Sequence, residues 1–416
     1  MSADDRRLAP DGGFSPSTAV TGLHESAPLA PRTTLRLGGL ARALVEVRAA
    51  ADVLRWRDVA LARGWPLAVL GGGSNTIVSD SGWPGLVLVP AGSAVASWQQ
   101  QDAVHVRADA GVDWDELVAW SVRRDLAGIA ALSGIPGRVG AAPVQNIGAY
   151  GEQLQDVFVA AEVVDLSSGE VRIWTAADAA FGYRDSAWKR AGSGRHVITW
   201  VELRLRPTTS SAARYPDLRA ALAADGVDAD AAPLAALRAA VLRVRRSKGM
   251  LADPEIADSR SVGSFFVNPV VADHVADAVE ARLRRAIVDG VTTGPFGRAP
   301  APRWPMPRYP AGPGETKLSA AWLIEASGWR KGDGCDGPAG PAESAGEARL
   351  GPGVVGLSSR HVLALVHRSG GSAGALLAFA ARIVDTVAAG TGVQLEREPV
   401  GLGAPGDLSE PPPRTT

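Results

Sequence analysis

The chain has 416 residues, 46% of them apolar and 21% charged, with a mean hydropathy of +0.03; at about 100–200 residues per domain, that predicts two to four domains with real cores. Lys+Arg 43 against Asp+Glu 44 leaves a net charge of −1, and Cys335 is the one cysteine, so no overall basic field, disulfide scaffold or multi-Cys metal site is expected. No run of eighteen uninterrupted apolar residues occurs, and MSADDRRLAPDGG lacks the apolar core of a signal peptide; the expectation is a soluble protein of the reducing cytoplasm.

Residues 1–28 mix Pro, Gly, Ser and Asp without periodicity and read as a disordered tail, as do 404–416. From about 48 to 63, Val53, Leu54, Trp56, Val59, Ala60 and Ala62 recur at helical spacing until Gly64. Residues 66–70 read as a buried strand running into Gly71-Gly72-Gly73-Ser74-Asn75, and 86–89 as the next strand. Residues 105–108 alternate as a strand, after which Asp113-Trp114-Asp115-Glu116 opens a helix like a capping box. The glycine-rich stretch 128–151 reads as backbone packed against a ligand. Segments 157–166 and 170–174, joined by Ser167-Ser168-Gly169, predict a hairpin. A strand at 197–206 and helices near 216–224 and 233–246 follow.

A third region opens with Ser261-Val262-Gly263-Ser264-Phe265-Phe266. It continues with a helix near 271–286, a Pro/Gly-rich loop from 290 to 314 and a helix at 318–327. Residues 330–356 read as a Gly/Pro-rich insertion with little regular structure. A strand at 361–367, a helix at 372–389 and a strand at 393–400 complete an α+β chain without repeats.

Two glycine-rich segments carry the chemistry. LGGGSN after a buried strand is a turn whose backbone N–H groups can converge on an anion, but it lacks the Lys of a Walker loop. A tight surface turn would look the same. The second segment, SGIPGRVGAAPVQNIGAYG, is too long and too apolar for a solvated loop. Its Gly and Ala let backbone approach a flat ligand, and Gln145 and Asn146 offer amides of the kind a flavin's pyrimidine edge needs. Only four basic residues are lysines, namely Lys189, Lys248, Lys317 and Lys331. Where Arg is the default, each Lys is a weak candidate for a role needing a compact ammonium.

LGGGSN, SGIPGRVGAAPVQNIGAYG, FGYRDSAWK, VGSFFVNP, KLSAAWLIE and LEREPVGLG stand in this order over residues 32–403. Together they resemble the UDP-N-acetylenolpyruvoylglucosamine reductase (UDP-N-acetylmuramate dehydrogenase) family of bacterial peptidoglycan synthesis. The resemblance implies a two-lobed FAD-binding fold of the vanillyl-alcohol-oxidase type plus a smaller α+β substrate-binding domain. The segments then divide as 29–95 and 96–246 for the two FAD subdomains and 247–403 for substrate, between the tails 1–28 and 404–416. It further implies FAD and NADPH as cofactors, a UDP-sugar substrate, a monomer, and neither nucleic-acid nor membrane partners.

By the same resemblance, Gly71, Gly72, Gly73, Ser74 and Asn75, with Ser133, Gly134, Ile135, Pro136 and Gly137, lie along the FAD pyrophosphate. Gln145, Asn146, Gly148, Ala149, Tyr150 and Gly151 face the ring. Arg184 matches the active-site arginine, Ser264 the proton donor to C2 of the enolpyruvyl group, and Glu398 the active-site glutamate. A planar guanidinium suits a developing carboxylate enolate, whereas a serine hydroxyl is a weak acid that needs a polar setting. Outside the family, Arg184 would read as a structural partner of Asp185. Tyr183, Tyr215, Lys248, Asn268 and Lys317 are the expected substrate contacts. The histidines show no ligand spacing, so no catalytic metal is expected. An FAD-dependent alcohol or hydroxy-acid oxidase of the same flavin fold is the alternative, and a non-catalytic nucleotide-sugar binder a third reading.

Overall fold

The computed structural model describes residues 22–192, 194–253, 256–292, 294–300, 302–335, 354–404 and 406–408. They divide into two units: one holds the chain up to Pro28, Leu40–Gly73 and Trp83–Ser247, the other Leu29–Gly39, Ser74–Gly82 and the chain from Lys248. In this division Leu29–Gly39 and Ser74–Gly82, which the expected bounds put in the first FAD subdomain, group with the chain from Lys248.

In the first unit a four-stranded sheet runs in the order His24–Pro28, Leu40–Val47, Trp83–Pro90, Leu67–Val69. The last three strands pair parallel, as they must when the helix Ala50–Ala62 makes the crossover. That helix buries Val53, Trp56 and Ala60 against Val45, Leu86 and Leu88. A second sheet is antiparallel, in the order Val171–Thr175, Phe158–Asp165, His196–Pro207, Ala103–Asp109, Val95–Gln100. The helices Trp114–Val122, Pro216–Ala224 and Leu234–Ser247 complete its core. Asp113 caps the first of them, its Oδ1 accepting from Glu116 N–H at 3.1 Å.

The second unit joins the antiparallel order Ser261–Ser264, Ala364–His367, Val355–Leu357, Gly334–Cys335 to a three-stranded sheet of Val270–Ala272, Glu315–Leu318 and Arg308–Gly312. The helices Asp273–Val288, Ala320–Ala326 and Ala373–Thr391 pack on them. The last helix is apolar and long enough to cross a bilayer by length and composition alone. Leu376, Phe379, Ile383 and Val387 bury one side of it in the core of this unit.

Four expectations change. His24–Pro28, assigned to the tail, is a strand: only Ala27 is buried, so backbone pairing with Leu40–Val47 makes it rather than a hydrophobic pattern. Arg308–Gly312, assigned to a loop, is a fully exposed strand paired with Glu315–Leu318 and tied by Arg308 to Asp277 and Glu280. The flanks of the 330–356 insertion form the strand pair Gly334–Cys335 and Val355–Leu357, while 336–353 lie outside the described residues. The last strand is Val400–Leu402 rather than 393–400, and Arg397 makes a single bridge to Phe266. At the far end, Asp407 accepts a hydrogen bond from Ser79 Oγ at 2.8 Å. Residues 1–21 and 409–416 lie outside the described residues.

Candidate active site

In the first unit the two glycine loops touch backbone to backbone. A Cβ on Gly72 would stand 2.6 Å from Gly137 Cα, and one on Gly71 would stand 3.0 Å from Ala141 Cβ. Glycine is thus required by close approach, the cradle a dinucleotide's pyrophosphate needs. Gly134 (φ 71°) and Gly137 (φ 131°) turn the second loop through left-handed conformations, and Trp114 N–H donates to Gly137 O at 3.0 Å. Ser133 is fully buried and donates to Ala130 O at 2.6 Å, so its hydroxyl serves the loop itself.

The 145–151 loop is anchored from below by Asn146, fully buried at φ 41°. Its Nδ2 donates to Gln155 Oε1 at 2.7 Å and to Gly182 O at 2.8 Å, and its Oδ1 accepts from Gln155 N–H at 3.2 Å. Asn146 therefore applies its amide to holding two loops together, in place of the expected use on a flavin edge. What it presents is its carbonyl, which accepts from Arg184 Nη1 at 3.4 Å. The other Arg184 terminal nitrogen donates to Gly148 O. Arg184 itself is left-handed (φ 54°), and its carbonyl accepts from Lys189 Nζ at 2.9 Å. Asp185 pairs with Arg190. Tyr183 lies under the Arg184 guanidinium at 5.8 Å, and Tyr215 meets Tyr150 edge-on at 5.8 Å. Both Tyr183 and Tyr215 are about half exposed. The structure thus brings Gln145–Gly151, Arg184, Tyr183 and Tyr215 into one neighbourhood.

In the second unit, Ser264 ends its strand opposite Ala364. The next residue, Phe265, donates its N–H to Leu363 O at 2.7 Å and accepts from Glu398 N–H at 2.9 Å. Glu398 O lies 3.5 Å from Asn75 Nδ2, and Val400 N–H donates to Asn75 O at 3.0 Å. Asn75, Ser264 and Glu398 therefore lie on three chain segments joined by hydrogen bonds beside the buried Phe265 and Phe266. Ser74 belongs with them and Gly71–Gly73 with the first unit, so the unit boundary cuts the first glycine loop.

Asn268 accepts from Ala320 N–H at 2.9 Å, so its side-chain oxygen holds the first turn of Ala320–Ala326. Lys317 sits mid-strand between Val270 and Tyr309. Lys248 is half-buried near His361. Burial, with Lys248 and Lys331 adding to it, pushes the imidazole down to about 4. His361 is neutral at pH 7, its Nδ1 accepting from Leu363 N–H at 3.0 Å.

Sequence reasoning missed Gln155, Ser186, Glu152 and Arg245. Ser186 Oγ donates to Val144 O at 2.8 Å. Glu152 accepts from Ala131 N–H at 2.8 Å, and burial pushes its carboxyl above the ordinary range. Lys189 had a signal in its rarity; a polar residue that faces its own loop has none.

Comparisons with known proteins agree with this anatomy. Residues 41–174 match the family model described as FAD binding domain. Residues 254–402 match that of the UDP-N-acetylenolpyruvoylglucosamine reductase C-terminal domain. The chain is 40% identical over 387 residues to the protein of that name from Thermobifida fusca, covering 92% of this chain and 99% of that one. With the one from Nocardia farcinica it shares 41% over 385 residues, 92% of this chain and 90% of the other. The crystal structure of the Thermus caldophilus reductase superposes with a TM-score of 0.56 at 22% identity, over 90% of this chain and 97% of that one, a likeness of fold.

Proposed function

This chain belongs to the UDP-N-acetylenolpyruvoylglucosamine reductase family, and on that premise we propose that it reduces the enolpyruvyl group of UDP-N-acetylenolpyruvoylglucosamine to UDP-N-acetylmuramate at the expense of NADPH. It is an FAD-containing oxidoreductase, and its place is peptidoglycan precursor synthesis in the cytoplasm, on which cell shape and division depend. The observation that carries the reading is 40% identity spanning 99% of a reductase. FAD, held by Gly71–Gly73, Ser133–Gly137 and Gln145–Gly151, supplies when bound the hydride relay from NADPH to C3 of the substrate.

The chain's own residues do the rest. Arg184, fixed by two backbone carbonyls, takes the substrate carboxylate and stabilises the charge that builds there as C2 becomes an enolate. A guanidinium already oriented by fixed acceptors reorganises little as that charge appears. Ser264 gives its hydroxyl proton to C2, and Glu398, if protonated, holds the carboxylate end of the substrate, or else orders the donor network. Tyr215 closes over the substrate diphosphate, Lys248 and Asn268 contact the UDP part, and Lys317 is a further substrate contact. The enzyme works as a monomer on small molecules.

The test is the spectrum of the purified protein followed by anaerobic titration. A bound flavin bleached by NADPH and restored by enolpyruvyl-UDP-GlcNAc is expected. Rapid turnover with O₂ on an alcohol, and no response to the UDP-sugar, would move the assignment to an oxidase.

A further inference from the structure

Gly134 is clamped on both sides by ionised side chains from two helices of the first unit. Its N–H donates to Asp115 Oδ1 at 2.6 Å, and its carbonyl accepts from Arg245 Nε at 3.1 Å. Asp115 lies in the helix Trp114–Val122 and Arg245 in Leu234–Ser247. Two turns earlier in the latter helix, Arg238 grips both Asp115 oxygens, at 2.5 and 2.7 Å. Burial pushes the Asp115 carboxyl up, but Arg238, the Gly134 N–H and Arg245 together hold it below its ordinary value. Arg245 is only 9% exposed; burial works against its charge and the neighbouring Asp115 carboxylate favours it.

A buried arginine is costly unless its surroundings use it. A glycine at φ 71° needs neither of its peptide groups gripped by an ion in order to turn. What the clamp adds is orientation: with donor and acceptor both fixed, the Gly134 peptide planes cannot rock. It also adds charge, because one carboxylate and two guanidiniums sum to one positive charge behind the turn.

We propose that Arg245, near the Asp115 carboxylate that Arg238 grips, is a positioning residue for the flavin dinucleotide: it fixes the Gly134 turn and sets a buried positive charge behind the path of the diphosphate. This rests on the reading of Gly134 as part of an FAD site. It goes beyond that reading in assigning affinity to a helix that carries no glycine loop.

The experiment strips the flavin from purified holoprotein and measures rebinding of FAD, of ADP (diphosphate without the ring) and of riboflavin (ring without the diphosphate). Wild type, Arg245→Met, Arg245→Lys and Asp115→Asn are compared, with the melting temperature of each stripped protein. Removing one buried charge-assisted hydrogen bond predicts FAD and ADP binding about 10- to 100-fold weaker in Arg245→Met, with riboflavin changed less than about 3-fold. Arg245→Lys, which keeps the charge and loses the fork, falls between; if the Met variant does not fold, the Lys variant decides by the same split. Equal losses for all three ligands, or unchanged FAD binding, overturn the inference and leave the reductase reading intact. A wild-type protein that takes up no FAD overturns both.

Discussion

Arg184 and Ser264 are held in place by different means. Arg184 stands on a left-handed backbone beside a loop that is itself left-handed at Asn146 and Tyr150, and side chains from elsewhere (Asn146, Gln155, Lys189, Ser186) knit these turns together. Ser264 and Glu398 lie on extended chain, and main-chain hydrogen bonds through Phe265 and Leu363 set their spacing. A site fixed by side chains is exposed to substitutions that never touch the substrate. One fixed by backbone tolerates them, since almost any residue supplies the same N–H and C=O.

The comparison is broken most directly at Ser264. Ser264→Ala should leave flavin reduction by NADPH near wild type and slow reoxidation by the enolpyruvyl substrate about 10²–10⁴-fold, with Ser264→Cys recovering part. Stopped-flow absorbance of each half-reaction separates these outcomes; equal slowing of both would make Ser264 a structural residue.

Asn146→Ala tests the other side. It removes the three side-chain hydrogen bonds by which Asn146 ties Gln155 and the Gly182 carbonyl together, so a stability loss of about 1–3 kcal/mol is expected by denaturant titration. Activity should fall roughly 10-fold or more, because the Arg184 turn loosens with it. Its counterpart in the second unit is Glu396→Ala. That side chain is exposed and the residue contributes a carbonyl to Val267 N–H, so kcat/KM should change less than about 3-fold. A Glu396 variant as damaged as Glu398→Gln would reverse the glutamate assignment.

Smaller effects sharpen the picture. Tyr215→Phe and Lys248→Ala should raise KM about 3- to 10-fold with kcat spared, as loss of uniform binding does. Steady-state kinetics with the UDP-sugar would contradict this if kcat collapsed at constant KM. The mildest effect is on acid stability. His361 titrates at about 4 in the fold, against 6.5 for an ordinary imidazole. The unfolded chain therefore takes up its proton first, and stability falls as pH drops from 6.5 towards 4. His361→Gln should make the fall in melting temperature across that window shallower by a few degrees; an unchanged slope would mean the imidazole is solvated.

Much of this was legible in the sequence, for identifiable reasons. The helix Ala50–Ala62 announces itself because Val53, Trp56 and Ala60 must share one buried face. The hairpin of Phe158–Asp165 and Val171–Thr175 shows in its Ser-Ser-Gly turn. Arg308–Gly312 could not be read, because a strand with no buried residue has no pattern and exists through its partner. Motif order in the sequence singles out Arg184, Ser264 and Glu398 as candidates. The inward turn of Asn146, the seat of Arg245 and the cap Asn268 gives to Ala320 all depend on residues far away in sequence. A buried amide and a solvated one look alike in a string of letters.

The interleaving of the two units sets a timetable for synthesis. Leu35, Leu37 and Ile77 belong to the second core, yet they leave the ribosome long before its remainder. His367 Nδ1 meets Leu35 O across 332 residues. At roughly 5–20 residues per second, that early segment waits on the order of 15–70 s for its partners. During that interval its leucines are exposed to chaperones and to neighbouring nascent chains.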